Sequence, residues 1–197
     1  TSYRTGDGTT TAVVLAHAGL LFFQYSIERG LLTKEWRVVL GTLAGVGCIV
    51  GGGPAGMMLG YLLGRAGVDV VVLEKHADFF RDFRGDTVHP STLQVMDELG
   101  LIEGFLKLPH QRLQKMEGMF GGEAVRIADL SRLHVKYPFI AFMPQWDFLN
   151  FLREGGQRFA SLKVMMSTEA SGLIHDGDRI AGVKARTPDG VIDIDAD

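Results

Sequence analysis

The apolar positions change period several times along this chain, and each change predicts an element. An apolar run from Val46 to Val50 leads into Gly51-Gly52-Gly53-Pro54-Ala55-Gly56, then a helical stretch of Met, Leu and Tyr that breaks at Gly67. A valine-rich run from Val68 to Leu73 follows and closes on Glu74. Runs of this kind fit strands buried on both faces, so Gly47 to Lys75 reads as strand, turn, helix, strand. Farther on, Leu93, Val95, Met96 and Leu99 give an apolar face to a helix over Pro90 to Leu99, and a short helix is expected from Ile102 to Lys107. Residues 101 to 141 read as a variable insertion in which Lys115 to Phe120 and Glu123 to Ile127 form a hairpin around Gly121-Gly122. A turn at Phe142-Met143-Pro144-Gln145 opens a helix with Phe148, Leu149 and Leu152 as its buried stripe, and Gly155-Gly156 predicts that it frays or ends early. The pattern then shifts to short strands: Leu162 to Ser167, Glu169 to His175, Arg179 to Arg186 and Val191 to Asp195, with turns marked by Asp176-Gly177 and Asp189-Gly190. The expected fold class is α/β, with a parallel sheet plus a small antiparallel sheet.

Residues 1 to 44 do not share this pattern. Ala12 to Tyr25 holds 14 residues with no charged side chain, short for a bilayer span. One or two amphipathic helices, Thr11 to Arg29 and Thr33 to Ala44, are expected, so the region reads as a mostly helical apolar appendage preceding a domain at 45 to 197. The 27 residues from Val38 to Gly64 are uncharged and long enough to cross a membrane, but nine are glycine, one is proline, and they divide into strand, loop and helix. A buried α/β unit is therefore preferred over a span.

Composition narrows the function classes. At 197 residues the chain can bury one sizeable core. A net charge of -3 offers no basic surface for nucleic acid. Cys48 is the single cysteine, which excludes an intramolecular disulfide and a cysteine-based zinc cluster and fits a reducing, cytoplasmic compartment. His17 has no second ligand at metal spacing, so no metal site is assigned. The chain begins at Thr1, which suggests a segment of something longer.

The chemistry lies in the glycine turn. The G-x-G-x-x-G spacing sits between a strand and a helix, with an acid 18 positions after the last glycine. Gly51 permits the tight turn, Gly53 lets backbone approach a pyrophosphate, and Gly56 lets helix and strand pack closely. Pro54 suits the first helical turn, and with Ala55 it opens a helix whose free N–H groups face phosphate. Glu74, with Lys75 beside it, ends the second strand where a carboxylate accepts ribose hydroxyls, each charged hydrogen bond contributing about 1.5–3 kcal/mol. These residues define a dinucleotide site. No nucleophile–base pair emerges, so no catalytic residue is assigned.

Two further segments carry a resemblance. With the fingerprint, KHADFFRDFRGDTVHPSTLQVMDELGL after Glu74 and the Pro144-Gln145 turn resemble the single-component (class A) FAD-dependent monooxygenases, the aromatic and ubiquinone-pathway hydroxylase superfamily, over about Gly47 to Asp197. The resemblance implies that Arg84 lies across the FAD pyrophosphate, as a bidentate guanidinium can. It implies that Gln145 contacts the cofactor's ribose or pyrophosphate, and that backbone near Glu169-Ala170 lies against the adenine. It also implies an oxidoreductase that uses NAD(P)H and O2 on a small organic, aromatic substrate, of which this segment would hold only the ADP half of the FAD site and lack the later Asp-Gly and Gly-Asp motifs. Two other readings stay open: an NAD-dependent Rossmann dehydrogenase or non-catalytic dinucleotide module, and a composite or membrane-attached protein dominated by residues 1 to 44. Within that region Gly6 to Ala12 resembles the nucleotide-binding loop of group I chaperonins, although a flexible Gly/Thr-rich start is preferred, and Leu20 to Gly47 resembles a segment of bacterial polytopic membrane proteins.

Overall fold

The computed structural model describes residues 46–80 and 86–196. The expected helices and resemblances within residues 1 to 44, and Arg84, lie outside the described residues. In chain order the described elements are β1 (Gly47–Val50), α1 (Pro54–Ala66), β2 (Val70–Leu73), β3 (Thr87–Val88), α2 (Pro90–Glu98), α3 (Ile102–Phe105), β4 (Gln111–Leu113), β5 (Lys115–Phe120) and β6 (Glu123–Asp129). After a 3-10 turn at Leu130–Arg132 come β7 (Ile140–Phe142), α4 (Gln145–Gly156), β8 (Leu162–Met165), β9 (Glu169–Asp176), β10 (Arg179–Thr187) and β11 (Gly190–Asp195). The chain separates into two compact units, one of the described residues up to Phe80 and from Leu149, the other of those between, up to Phe148.

The first unit is layered. Its parallel sheet has the order β1-β2-β8, with Gly47 to Val50 paired to Val70 to Leu73 and these to Leu162 to Met165. All four residues of β2 are buried, as expected of a strand covered on both faces. Alternation divides them. Val71 and Leu73 pack with Val183 and Ala185 of the antiparallel β11-β10-β9 sheet, joined by Cys48, Val50, Met165 and Ala170. Val72 faces the other way, toward α1.

Helix α1 approaches the sheet closely because its contact column is glycine. A Cβ placed on Gly60 would lie 2.6 Å from Val72 Cγ2, and one on Gly64 would lie 2.7 Å from Leu162 Cβ. Gly56, Gly60 and Gly64 stand four apart and so share one helical face. Tyr61 is fully buried and meets Phe159 edge-on at 5.2 Å between ring centroids. Gly67 ends the helix in the left-handed conformation (φ 80°), its N–H donating to Gly64 O.

The second unit holds the small β3-β7-β4 sheet and the two-stranded β5-β6 ribbon. The ribbon turns at Gly121 and Gly122 (φ 60° and 88°), as the sequence predicts for a two-residue loop. It is amphipathic. Glu117 and Arg126 pair across one face, while Phe120 and Ile127 lie over Gly118 on the other and are 61% and 56% exposed. Phe105 and Phe148 meet edge-on in this unit's core.

Several boundaries differ from expectation. Helix α4 runs through both Gly155 and Gly156 rather than ending early, because the glycines serve packing: a Cβ on Gly156 would lie 2.7 Å from Leu162 Cδ2. Strand β8 stops at Met165, where Ser167 takes a positive φ of 52° that no strand residue adopts. The β9–β10 turn falls one residue later than expected, between Asp176 and Arg179, and Pro188-Asp189 joins β10 to β11. Strands of two and three residues built the β3-β7-β4 sheet that the sequence pattern did not reveal. The described part of the uncharged Val38 to Gly64 stretch forms β1, the glycine turn and most of α1, and no described helix is long and apolar enough to cross a membrane.

Candidate functional site

The carboxyl ends of β1 and β2 meet at the glycine turn. Gly51 takes φ 113°, a conformation that L side chains rarely adopt, and its N–H donates to Leu73 O at 2.8 Å. The chain then reverses into α1, capped by Gly53 in extended conformation, with Pro54 as the first helical residue. A Cβ on Gly56 would stand only 2.0 Å from Gly51 O, so no other residue fits there without moving backbone. At Gly53 the opposite holds: a Cβ would meet nothing within 4 Å. Gly56 is thus required by the fold itself. Gly53 has space on its outer side.

Pro54 lacks an N–H and the Met57 N–H is taken by Gly53 O at 2.9 Å, which leaves Ala55 and Gly56 as the first-turn amides with no intrahelical acceptor. The positive end of the helix dipole lies at the same place.

Glu74 is the buried acid of the site, 9% exposed. Its Oε2 accepts from Gly52 N–H and its Oε1 from His76 N–H, each at 3.0 Å. Its backbone is fixed as well: Glu74 N–H donates to Met165 O, Thr168 N–H donates to Glu74 O, and Ser167 N–H donates to His76 O, all within 2.8–2.9 Å. The carboxylate is therefore oriented before any ligand is considered. The Gly52 and His76 amides are thus two of the donors that hold this carboxylate. Lys75 next to it is exposed.

Gly51, Gly53, Pro54, Ala55, Gly56, Glu74 and Lys75 are thus brought together in the first unit. Ala170 lies in β9 of the same unit, two residues beyond Thr168, opposite Ala185 and against the inter-sheet core. The backbone beside Glu74 is that of Met165 to Thr168. Sequence reasoning did not single out Gly52, His76, Ser167 or Thr168 for this site. They act through backbone groups, which leave no signal in residue type; only the short strand and the positive φ at Ser167 reveal them. Gln145 stands in the second unit, half-buried at the start of α4, with its N–H donating to Asp86 Oδ1 at 3.3 Å.

Elsewhere the titrating groups are few. Burial pushes the Cys48 thiol up to about 11. Hydrogen bonds from Lys136 and then Tyr137 hold Asp97 below the usual carboxylate range, and the same contact with Asp97 raises Lys136.

Residues 45–197 match the family described as FAD binding domain, and the chain belongs to that family. It is 29% identical over 136 residues to 6-methylpretetramide 4-monooxygenase of Streptomyces rimosus, covering 69% of this chain and 32% of that protein. It is 36% identical over 97 residues to a rifampicin monooxygenase of Streptomyces venezuelae, covering 49% of this chain and 20% of the relative. Among solved structures, p-nitrophenol 4-monooxygenase PnpA from Pseudomonas putida superposes with a TM-score of 0.66 at 25% identity, over 76% of this chain and 38% of the other. The chain therefore spans about a third or less of the length of these curated relatives.

Proposed function

We propose that residues 45–197 are the ADP-binding part of an FAD-dependent monooxygenase that uses NAD(P)H and O2 to hydroxylate a small aromatic substrate. The observation that carries the cofactor reading is the pairing of an open Gly53 with a carboxylate already oriented by Gly52 and His76. In this Rossmann-like arrangement the amides of Ala55 and Gly56, with the helix dipole, hold the pyrophosphate, and Glu74 accepts the ribose hydroxyls. Backbone near Glu169-Ala170 lies against the adenine, a reading supported by its place just beyond Thr168, whose N–H donates to Glu74 O. Arg84 and Gln145 complete the binding set, and Lys75 offers a positive charge at the rim. The bound flavin supplies the redox and oxygen chemistry, while these residues bind and orient it.

The monooxygenase reading is supported by relatives named 6-methylpretetramide 4-monooxygenase and para-nitrophenol 4-monooxygenase. No side chain here is assigned as an acid or base, in keeping with cofactor-borne chemistry. A cytoplasmic location fits the single reduced cysteine.

Competitive titration tests the cofactor reading. The chain should bind FAD, and ADP should displace it, because the site described recognises the adenosine half. FMN should not compete. Equal displacement by FMN, or no flavin uptake at all, would overturn the assignment.

A further inference from the structure

We infer that Asp86 is a positioning residue for the cofactor contact assigned to Gln145, which rests on the FAD reading above. Helix α4 begins directly after Pro144, and proline has no side-chain acceptor for the first amides of a helix. The acceptor comes instead from 59 residues earlier, where Asp86 Oδ1 receives the Gln145 N–H at 3.3 Å. The same residue grips the approach to the helix, because its backbone oxygen accepts Met143 N–H at 3.1 Å. Strand β3 then continues the contact, Thr87 pairing with Phe142 and Val88 with Ala141. Asp86 thus closes an antiparallel zipper that ends on the first residue of α4.

The consequence falls on the Gln145 side chain. It leaves the backbone at the point that Asp86 fixes, so the carboxylate sets where the amide group starts. What the helix start requires of Asp86 is an acceptor oxygen for a first-turn amide, a role that Asn fills about as well as Asp. Asp86 touches no cofactor atom in this account. It acts through Gln145.

The test uses the whole chain with Asp86→Ala and Asp86→Asn. In the ligand-free protein, Asp86→Ala should speed hydrogen exchange at the Gln145 amide, while Asp86→Asn, which keeps an acceptor oxygen, should largely preserve protection. FAD titration well below the melting temperature should show Asp86→Ala weakened by about fivefold, the size of a lost helix cap, with Asp86→Asn near wild type. Unchanged exchange in Asp86→Ala would overturn the anchor. A lowered melting temperature with wild-type FAD affinity would reduce Asp86 to a structural cap and overturn its cofactor role. Wild-type protein that takes up no FAD would sink the cofactor reading itself and the role of Asp86 with it, while the exchange data would still report the anchor.

Discussion

At the scale of single residues, the glycine turn separates Gly56, which the fold requires, from Gly53, which has open space beside it. Gly56→Ala would set a methyl 2.0 Å from Gly51 O, and backbone cannot yield as a side chain can. Its urea midpoint should fall sharply, by at least the roughly 1–3 kcal/mol typical of overpacking. Gly53→Ala should leave the midpoint nearly unchanged, since nothing lies within 4 Å of the new methyl and the backbone is extended. Its FAD affinity should nonetheless drop about tenfold, or 1.4 kcal/mol, as the methyl meets the pyrophosphate. If Gly53→Ala binds FAD normally, the phosphate is not held there. Glu74→Gln should lose both stability and binding: its NH2 would face the Gly52 or the His76 amide, stranding a donor at a cost of about 1–3 kcal/mol. Cys48 should resist alkylation at pH 8 until the chain unfolds, because its thiol ionises only near 11. At neutral pH the thiol is protonated whether folded or unfolded, so the shift leaves stability unchanged there and lowers it as pH rises above the ordinary thiol range toward about 11. The glycine spacing and Glu74 were readable because only particular residue types satisfy those positions. The Gly52–Glu74 bond was not readable, since any non-proline residue carries the same N–H.

At the scale of elements, the C-terminal turn of α2 is tied to the segment before β7 by Lys136 and Tyr137, both donating to Asp97. Folding makes Asp97 harder to protonate, so the tie is fully present above the ordinary aspartate range and weakens as pH falls through the lowered value. Hydrogen exchange in α2 should accelerate in acid, and Asp97→Asn should flatten that dependence. A wild-type profile in Asp97→Asn would show that the tie does not stabilise the helix. Elements with a strong period were legible: α1, α2 and the β5-β6 hairpin fell close to where their apolar spacing placed them. The two- and three-residue strands of the β3-β7-β4 sheet were not, because alternation cannot be read over so few positions. Gly155 and Gly156 misled for a different reason. Low helix propensity predicted an end, but contact with Leu162 and Tyr61 outweighs it.

At the scale of the whole molecule, the first unit joins segments far apart in sequence: β2 is flanked by β1 and β8, and Glu74 bonds to backbone near residue 166. A ligand at that junction binds only the assembled unit, so FAD at 100 times its Kd should raise unfolding free energy by about 2.7 kcal/mol. FMN at the same concentration should not shift the thermal midpoint, and an equal shift would mean that the adenosine half is not what the chain recognises. The exposed Phe120 and Ile127 on the ribbon predict dye binding in the isolated chain that Ile127→Lys reduces without altering FAD affinity. The α/β class and the order of the main layers could be argued from the chain alone, whereas the split into two units could not, since it depends on long-range pairing.

The two amides that hold the Glu74 carboxylate carry a kinetic meaning. A receptor whose key acceptor is already aimed has no slow rearrangement to complete after encounter. Mixing FAD with the chain should give a single exponential whose rate climbs linearly with flavin concentration, with no plateau and no lagging second phase.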